Sequence, residues 1–164
     1  MFRILMIGLA ALSLSACQGK AQAPDQSVAS KAFMAGNAKQ PGVVTLPSGL
    51  QYKIVKSGPA TGGKPQLNDE VKVNYEGKLI SCKVFDSSYE RGQPASIPLK
   101  QLVPAWQEAL QLMRPGDEWI LYVPPELGYG AEGAGGGEIP GGPALIFKIE
   151  LIDFLPGPGR VPQG

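Results

Sequence analysis

Eight glycines and four prolines crowd the twenty residues from Pro124 to Pro143, and no helix or regular strand can run through such a stretch. The segment contains a formal G-x-G-x-x-G pattern, Gly128-Tyr129-Gly130-Ala131-Glu132-Gly133, behind a strand-like run. A dinucleotide site needs a helix opening at those glycines, so that backbone N–H groups face the pyrophosphate. The chain continues instead through Gly135-Gly136-Gly137 to Pro140-Gly141-Gly142-Pro143, which rules the nucleotide reading out. What remains is a long loop carrying Leu127, Tyr129 and Ile139, apolar residues that give it reason to fold back over something. Loops beyond about 12–15 residues in a small domain are, as a rule, functional or disordered.

Around that loop the hydrophobic period is mostly two. Leu50, Tyr52 and Ile54 alternate with Gln51, Lys53 and Val55; Val71, Val73 and Tyr75 alternate with Glu70, Lys72 and Asn74. Residues 78–85 read as a partner strand, which would bury Cys82, and residues 119–123 and 144–154 as two more. One segment differs: Leu102, Val103, Trp106, Ala109, Leu110 and Met113 recur at spacings of three and four. Pro104 suits the first turn of a helix there, where its missing N–H costs nothing, and Met113-Arg114-Pro115-Gly116 stops it. The expectation is an α+β domain over residues 46–155, a twisted antiparallel sheet of four to six strands with one short helix on one face.

Composition excludes several functions. The 164 residues contain no His, so there is no Ser-His-Asp triad, Cys-His dyad or imidazole proton shuttle. Two cysteines and no histidine make no zinc site of the usual kind, and no other cofactor motif is present. A formal charge of +1 gives no basic field, so no nucleic-acid partner is expected. Asp86, Glu90, Glu118 and Glu126 show no spacing that singles out an acid–base pair. Asp86 stands apart, because it follows Phe85 at a strand end and precedes Ser87-Ser88. There it either caps the turn or orients a neighbouring tyrosine hydroxyl.

The ends read as targeting and linker sequence. Met1-Phe2-Arg3 precedes a mostly apolar run of thirteen, Ile4 to Ala16, shorter than the roughly 20 residues that span a bilayer. It ends in Leu14-Ser15-Ala16-Cys17, which resembles the lipobox of bacterial lipoproteins; the plainer alternative is a secretory signal with a chance cysteine. The resemblance implies a signal peptide over residues 1–16, cleavage and lipidation at Cys17, and, with Gln18 rather than Asp next, an outer membrane destination facing the periplasm. Cleavage takes Arg3 away and leaves 148 residues with fourteen basic and fourteen acidic side chains, so the lipid rather than surface charge would hold the chain on the membrane. Residues 17–45, poor in aromatics, read as a flexible tether in which residues 29–38 form at most a transient helix. Residues 156–164, alternating Pro and Gly, read as a disordered tail.

Several segments together carry a resemblance. Val71-Lys72-Val73-Asn74-Tyr75-Glu76-Gly77 and Phe85-Asp86-Ser87-Ser88 resemble the V-x-V-x-Y-x-G and F-D-S-S signatures of FKBP-type peptidyl-prolyl cis-trans isomerases. Leu102-Val103-Pro104-Ala105-Trp106, then Leu127-Gly128-Tyr129-Gly130, Ile139-Pro140 and Leu145-Ile146-Phe147 follow in the family's order. With the lipobox, the chain resembles envelope isomerases related to the macrophage infectivity potentiator group, without that group's long helical dimerisation module, so a monomer is expected. The resemblance implies an aromatic pocket between sheet and helix. Tyr75, Phe85, Leu102, Val103, Ile139 and Phe147 would bind substrate there, and Trp106, Tyr129 and Asp86 would act on it. Trp106 would form the floor beneath the substrate proline, and the Val103 N–H and Tyr129 hydroxyl would donate to bound carbonyls. Proline-containing polypeptides are the implied partners, with the macrolides tacrolimus or rapamycin as further ligands. Pro94-Ala95-Ser96-Ile97 stands where many members have aromatics, implying a thinner pocket wall. Two alternatives stay open: that these aromatics are plain core, and that the fold serves as a chaperone or binding module with little turnover.

Overall fold

The computed structural model describes residues 26–159. The signal peptide and lipidated Cys17 read from the sequence lie outside these residues. Seven strands form one antiparallel sheet: β1 (Val43–Thr45), β2 (Gln51–Lys56), β3 (Glu70–Leu79), β4 (Val84–Ser87), β5 (Ala95–Pro98), β6 (Glu118–Val123) and β7 (Leu145–Leu155). Their spatial order is β1-β2-β6-β7-β3-β4, with β5 also on β3. The architecture is the expected α+β, with more strands than the four to six expected. The short edge strands β1 and β5, of three and four residues, are too brief to show a period.

Alternation decides which face is covered. In β3 the buried positions are Val71, Val73, Tyr75, Gly77 and Leu79; in β6 they are Trp119, Leu121 and Val123; in β7 they are Leu145, Phe147, Ile149 and Leu151. Against this face packs helix α2 (Pro104–Leu110), which buries Ala105, Trp106, Ala109 and Leu110. Pro104 occupies the first turn of α2, as its lack of an N–H favours.

Four expectations change. The segment expected as a tether contains helix α1 (Ser27–Asn37), and β1 lies in it too, paired with β2. The sequence shows no amphipathic stripe because α1 buries only Ser30 and Met34, four residues apart on one side, and is held largely by hydrogen bonds. The strand expected over residues 78–85 is interrupted by a turn in which Cys82 donates its N–H to the Leu79 carbonyl at 2.9 Å. Cys82 is therefore exposed rather than buried, and it takes the left-handed φ of 68° that the turn requires. The helix expected through Met113 is confined to Pro104–Leu110, because Arg114-Pro115-Gly116 begins a turn that Asp117 closes by accepting the Arg114 N–H at 2.9 Å. Of the expected disordered tail, residues 156–159 are described: the Gly157 N–H donates to Asp69 Oδ1 at 2.9 Å, which fixes its start.

Candidate functional site

Strands β4 and β5 share one edge of β3, with residues 88–94 bulging out between them. The bulge would leave the backbone of Tyr75, paired with Ile149 of β7 on its other side, without a partner on this edge, and Ser88 supplies one. Its Oγ accepts the Tyr75 N–H at 2.8 Å, and its own N–H donates to the Tyr75 carbonyl at 2.9 Å. Two residues earlier, Asp86 Oδ2 accepts the Tyr75 hydroxyl at 2.5 Å. Arg91, carried by the bulge, donates Nη2 to the same hydroxyl at 2.8 Å and Nη1 to Asp86 Oδ1. The F-D-S-S run thus holds Tyr75 at both ends. Of the two sequence-level readings of Asp86, the geometry matches the one that orients a tyrosine. Burial, then the bond to Asp86, raises the Tyr75 phenol above its ordinary 10.0. Both contacts on Arg91 favour its charged form, with that to Asp86 first.

The Tyr75 ring meets the edge of Trp106 at 5.1 Å and 84°, and Trp106 meets Phe147 at 5.2 Å and 88°. Phe147 in turn meets Phe85 at 5.7 Å and 89°. Edge-to-face geometry is the favoured one, worth about 0.5–1.5 kcal/mol per pair beyond area burial. The box closes over Gly77, where a Cβ would lie 2.7 Å from Phe147 Cε1 and 2.8 Å from Phe85 Cζ. Glycine is required here for space, not for backbone freedom.

The Tyr75, Trp106 and Phe147 rings wall a cavity of about 270 Å³. Trp106, only 3% exposed, forms its base from the first turn of α2, and Tyr75, Phe147 and Asp86 stand around it. Leu102 and Val103 line the side where the chain enters α2, and Tyr129 reaches in from the long loop. The Val103 carbonyl is bonded to the N–H groups of Trp106 and Gln107, while its own N–H has no partner among the described residues. Burial, then the nearby Asp86 charge, raises the Tyr129 phenol above 10.0, so it remains a donor through the neutral range.

Two of the residues named from the sequence do not line the cavity. Phe85 stands behind Phe147, and Ile139 is buried in the core beneath the loop, bridged to Ala134. Conversely, Ile97 and Gln101 line it and Arg91 completes the Tyr75–Asp86 cluster; Gln101 and Arg91 had been assigned no role. Ile97 lies in the Pro94-Ala95-Ser96-Ile97 stretch read as a thinner wall, and it makes that wall aliphatic. Arg91 sits in an irregular bulge with no period, so no sequence signal pointed to it.

A second cavity, about 430 Å³, lies between α1 and the long loop, lined by Met34, Pro124, Pro125 and Gly130 among others. It is larger, but it lacks the converging rings and the hydrogen-bonded Tyr75 hydroxyl of the first.

The family model described as FKBP-type peptidyl-prolyl cis-trans isomerase matches residues 62–152, more than half of the chain. The chain belongs to the FKBP family. A second model, the domain amino-terminal to the FKBP-type isomerase, matches residues 10–54 and takes in α1 and β1. The chain is 57% identical over 123 residues to the peptidyl-prolyl cis-trans isomerase Mip of Coxiella burnetii, covering 75% of this chain and 52% of that protein. It is 47% identical over 133 residues to the outer membrane protein MIP of Legionella longbeachae, covering 80% and 55%. The chain thus spans about half the length of these curated relatives. The crystal structure of a peptidyl-prolyl cis-trans isomerase from Pseudomonas syringae superposes with a TM-score of 0.74 at 39% identity, covering 82% of this chain and 98% of that one. The FKBP sheet accounts for the site's layout: β3, β4, β5 and β7 supply one wall, α2 the floor and the β6–β7 loop the lid side.

Proposed function

We propose that this chain is a peptidyl-prolyl cis-trans isomerase acting on X-Pro bonds of exported polypeptides in the Trp106 cavity. The observation that carries the reading is the edge-on aromatic box with Trp106 at its base, ringed by the Tyr129 hydroxyl and the Tyr75–Asp86–Arg91 cluster. Rotation about an amide faces a barrier of about 18–20 kcal/mol because resonance is lost at the twisted geometry. Losing resonance lowers the charge separation of the amide. A dry aromatic site therefore disfavours the planar ground state relative to the twisted one. The proline ring rests on Trp106, and the Val103 N–H and Tyr129 hydroxyl hold neighbouring carbonyls while the bond turns. No nucleophile or proton transfer is needed, which suits a chain without His. Uncatalysed isomerisation takes tens of seconds or longer, slow enough to limit folding.

The test is a cis–trans assay with a Phe-Pro tetrapeptide on the folded chain from residue 26. Acceleration that tacrolimus or rapamycin inhibits is expected. Relaxation at the buffer rate would leave a binding module with little turnover. Tyr129→Phe deletes one hydroxyl and keeps ring volume. It should weaken macrolide binding twofold to tenfold, about 0.5–1.5 kcal/mol. The melting temperature should stay put, since Tyr129 lines the cavity and its hydroxyl has no hydrogen bond to the described residues. Unchanged affinity measured by calorimetry would make that hydroxyl a bystander.

The same proposal places the protein in the cell envelope, lipid-anchored through Cys17 in the outer membrane and facing the periplasm; it is supported by the Leu14-Ser15-Ala16-Cys17 run and by a relative named for the outer membrane. More than one acyl chain is needed for stable anchoring. Cys17→Ser should shift the protein from the detergent to the aqueous phase with peptide turnover intact, and a mutant still found in detergent would remove the anchor from the proposal. The monomeric state is part of the proposal, with sedimentation of the mature chain as its check.

A further inference from the structure

Helix α1 touches the domain through an unusual pair of bonds. Ser30, fully buried in α1, donates its hydroxyl to the Gly142 carbonyl at 2.8 Å and accepts the Ala144 N–H at 2.6 Å. These two groups flank Pro143, which has no N–H, at the end of the long loop and one residue before β7 begins. The hydroxyl therefore does what a neighbouring strand would otherwise do for this stretch. Only a group that both donates and accepts can satisfy the two at once.

The contact continues toward the cavity. The Gly142 N–H donates to the Gly130 carbonyl at 3.0 Å, and the Gly130 N–H donates to the Pro125 carbonyl at 2.8 Å. Gly130 is the neighbour of Tyr129, whose own carbonyl accepts the Gly133 N–H at 3.2 Å. Two hydrogen bonds, from Ser30 Oγ to the Gly142 carbonyl and from the Gly142 N–H to the Gly130 carbonyl, thus join the α1 hydroxyl to the residue next to Tyr129. The helix itself is held at its other end, where Gln51 Nε2 donates to the Met34 carbonyl at 2.9 Å and Asn37 Nδ2 donates to Gln51 Oε1 at 2.8 Å. Gln51 is anchored in β2, paired with Tyr122 of β6. One end of α1 is pinned to the sheet and the other hooks the loop.

A loop with eight glycines in twenty residues has little stiffness of its own. The cavity of about 430 Å³ beside the hook, bounded by Met34, Pro125 and Gly130, leaves it room to move once released. We propose that Ser30 is a positioning residue for the cavity: through Gly142 and Gly130 it holds the Tyr129 limb of the loop so that the hydroxyl faces the ligand. The proposal rests on Tyr129 serving as a ligand donor in the isomerase reading. It makes the segment ahead of the domain part of the working site rather than a spacer.

The test is a double-mutant cycle on the mature chain with tacrolimus as probe, read by calorimetry below the melting transition of every variant. Ser30→Ala should weaken binding by no more than Tyr129→Phe does, about twofold to tenfold, since it acts only through that hydroxyl. In the Tyr129→Phe background the same change should have no further effect. A loss of melting temperature with unchanged affinity in Ser30→Ala, or fully additive losses in the double variant, would overturn the proposal by reducing Ser30 to a stabilising contact. A second readout does not depend on turnover or on macrolide binding. Amide exchange should accelerate at Ala144, Gly142 and Gly130, and the Tyr129 ring resonances should shift in Ser30→Ala. Exchange that accelerates only within α1 and at Ala144, with the Tyr129 resonances unmoved, would also overturn it. If the wild-type chain shows neither turnover nor macrolide binding, the isomerase reading fails, and the exchange data alone decide whether Ser30 holds the loop.

Discussion

Trp106→Ala should abolish measurable turnover and lower stability by about 3–5 kcal/mol, the cost of truncating a buried aromatic in a well-packed core. The indole is 3% exposed and sits edge-on to both Tyr75 and Phe147, so its removal opens a void where two rings lose their partner. Stability and catalysis are entangled in this variant. Denaturant titration gives the first, and the assay run well below the unfolding midpoint gives the second. Trp106→Phe separates them further, because it restores a ring for Tyr75 and Phe147 to pack on while shrinking the surface offered to a proline. Recovery of most of the stability with only part of the activity is the expected pattern. A Trp106→Ala protein that is folded and turns over at the wild-type rate would show that the cavity is not the site.

Gly77→Ala, the smallest possible addition, should cost about 1–3 kcal/mol through overpacking. Ordinary glycine replacements in a strand interior run the other way, since alanine loses less entropy on folding. At this position the new methyl would stand 2.7 Å from one ring and 2.8 Å from another, and both rings are packed against others. Neither can swing aside as the end of a flexible side chain would. Phe147 must shift, and it is one of the cavity walls, so macrolide affinity should fall together with stability. Chemical denaturation and calorimetry on one preparation check both. An alanine variant as stable as the wild type would mean that the Phe85–Phe147 pair repacks freely.

The residues that made the site legible are the ones whose physics is local. Alternation in β3 follows from a pleated strand covered on one face, so Val71, Val73 and Tyr75 could be placed on a common side without coordinates, while Phe147 was named through the family resemblance. The three- and four-residue spacing through Trp106 and Leu110 marked α2 for the same reason. Motif order then linked Tyr75, Asp86, Trp106 and Tyr129, and the fold brings these four around one cavity. Cys82 shows where local pattern failed: residues 78–85 read as one strand, but the turn within them needed a left-handed residue.

The sequence by itself therefore determined the class of fold and the face that is buried, which rest on periodicity, and its ordered motifs carried the family. Only the tertiary structure decided that Arg91 joins Tyr75 and Asp86, that Phe85 and Ile139 stand behind the cavity rather than in it, and that Ser30 reaches Gly142 across 112 residues. Those contacts are made by single side chains from a bulge, a loop and a helix with no stripe. No period announces them, and they exist only once the sheet has brought distant backbone within a hydrogen bond's reach.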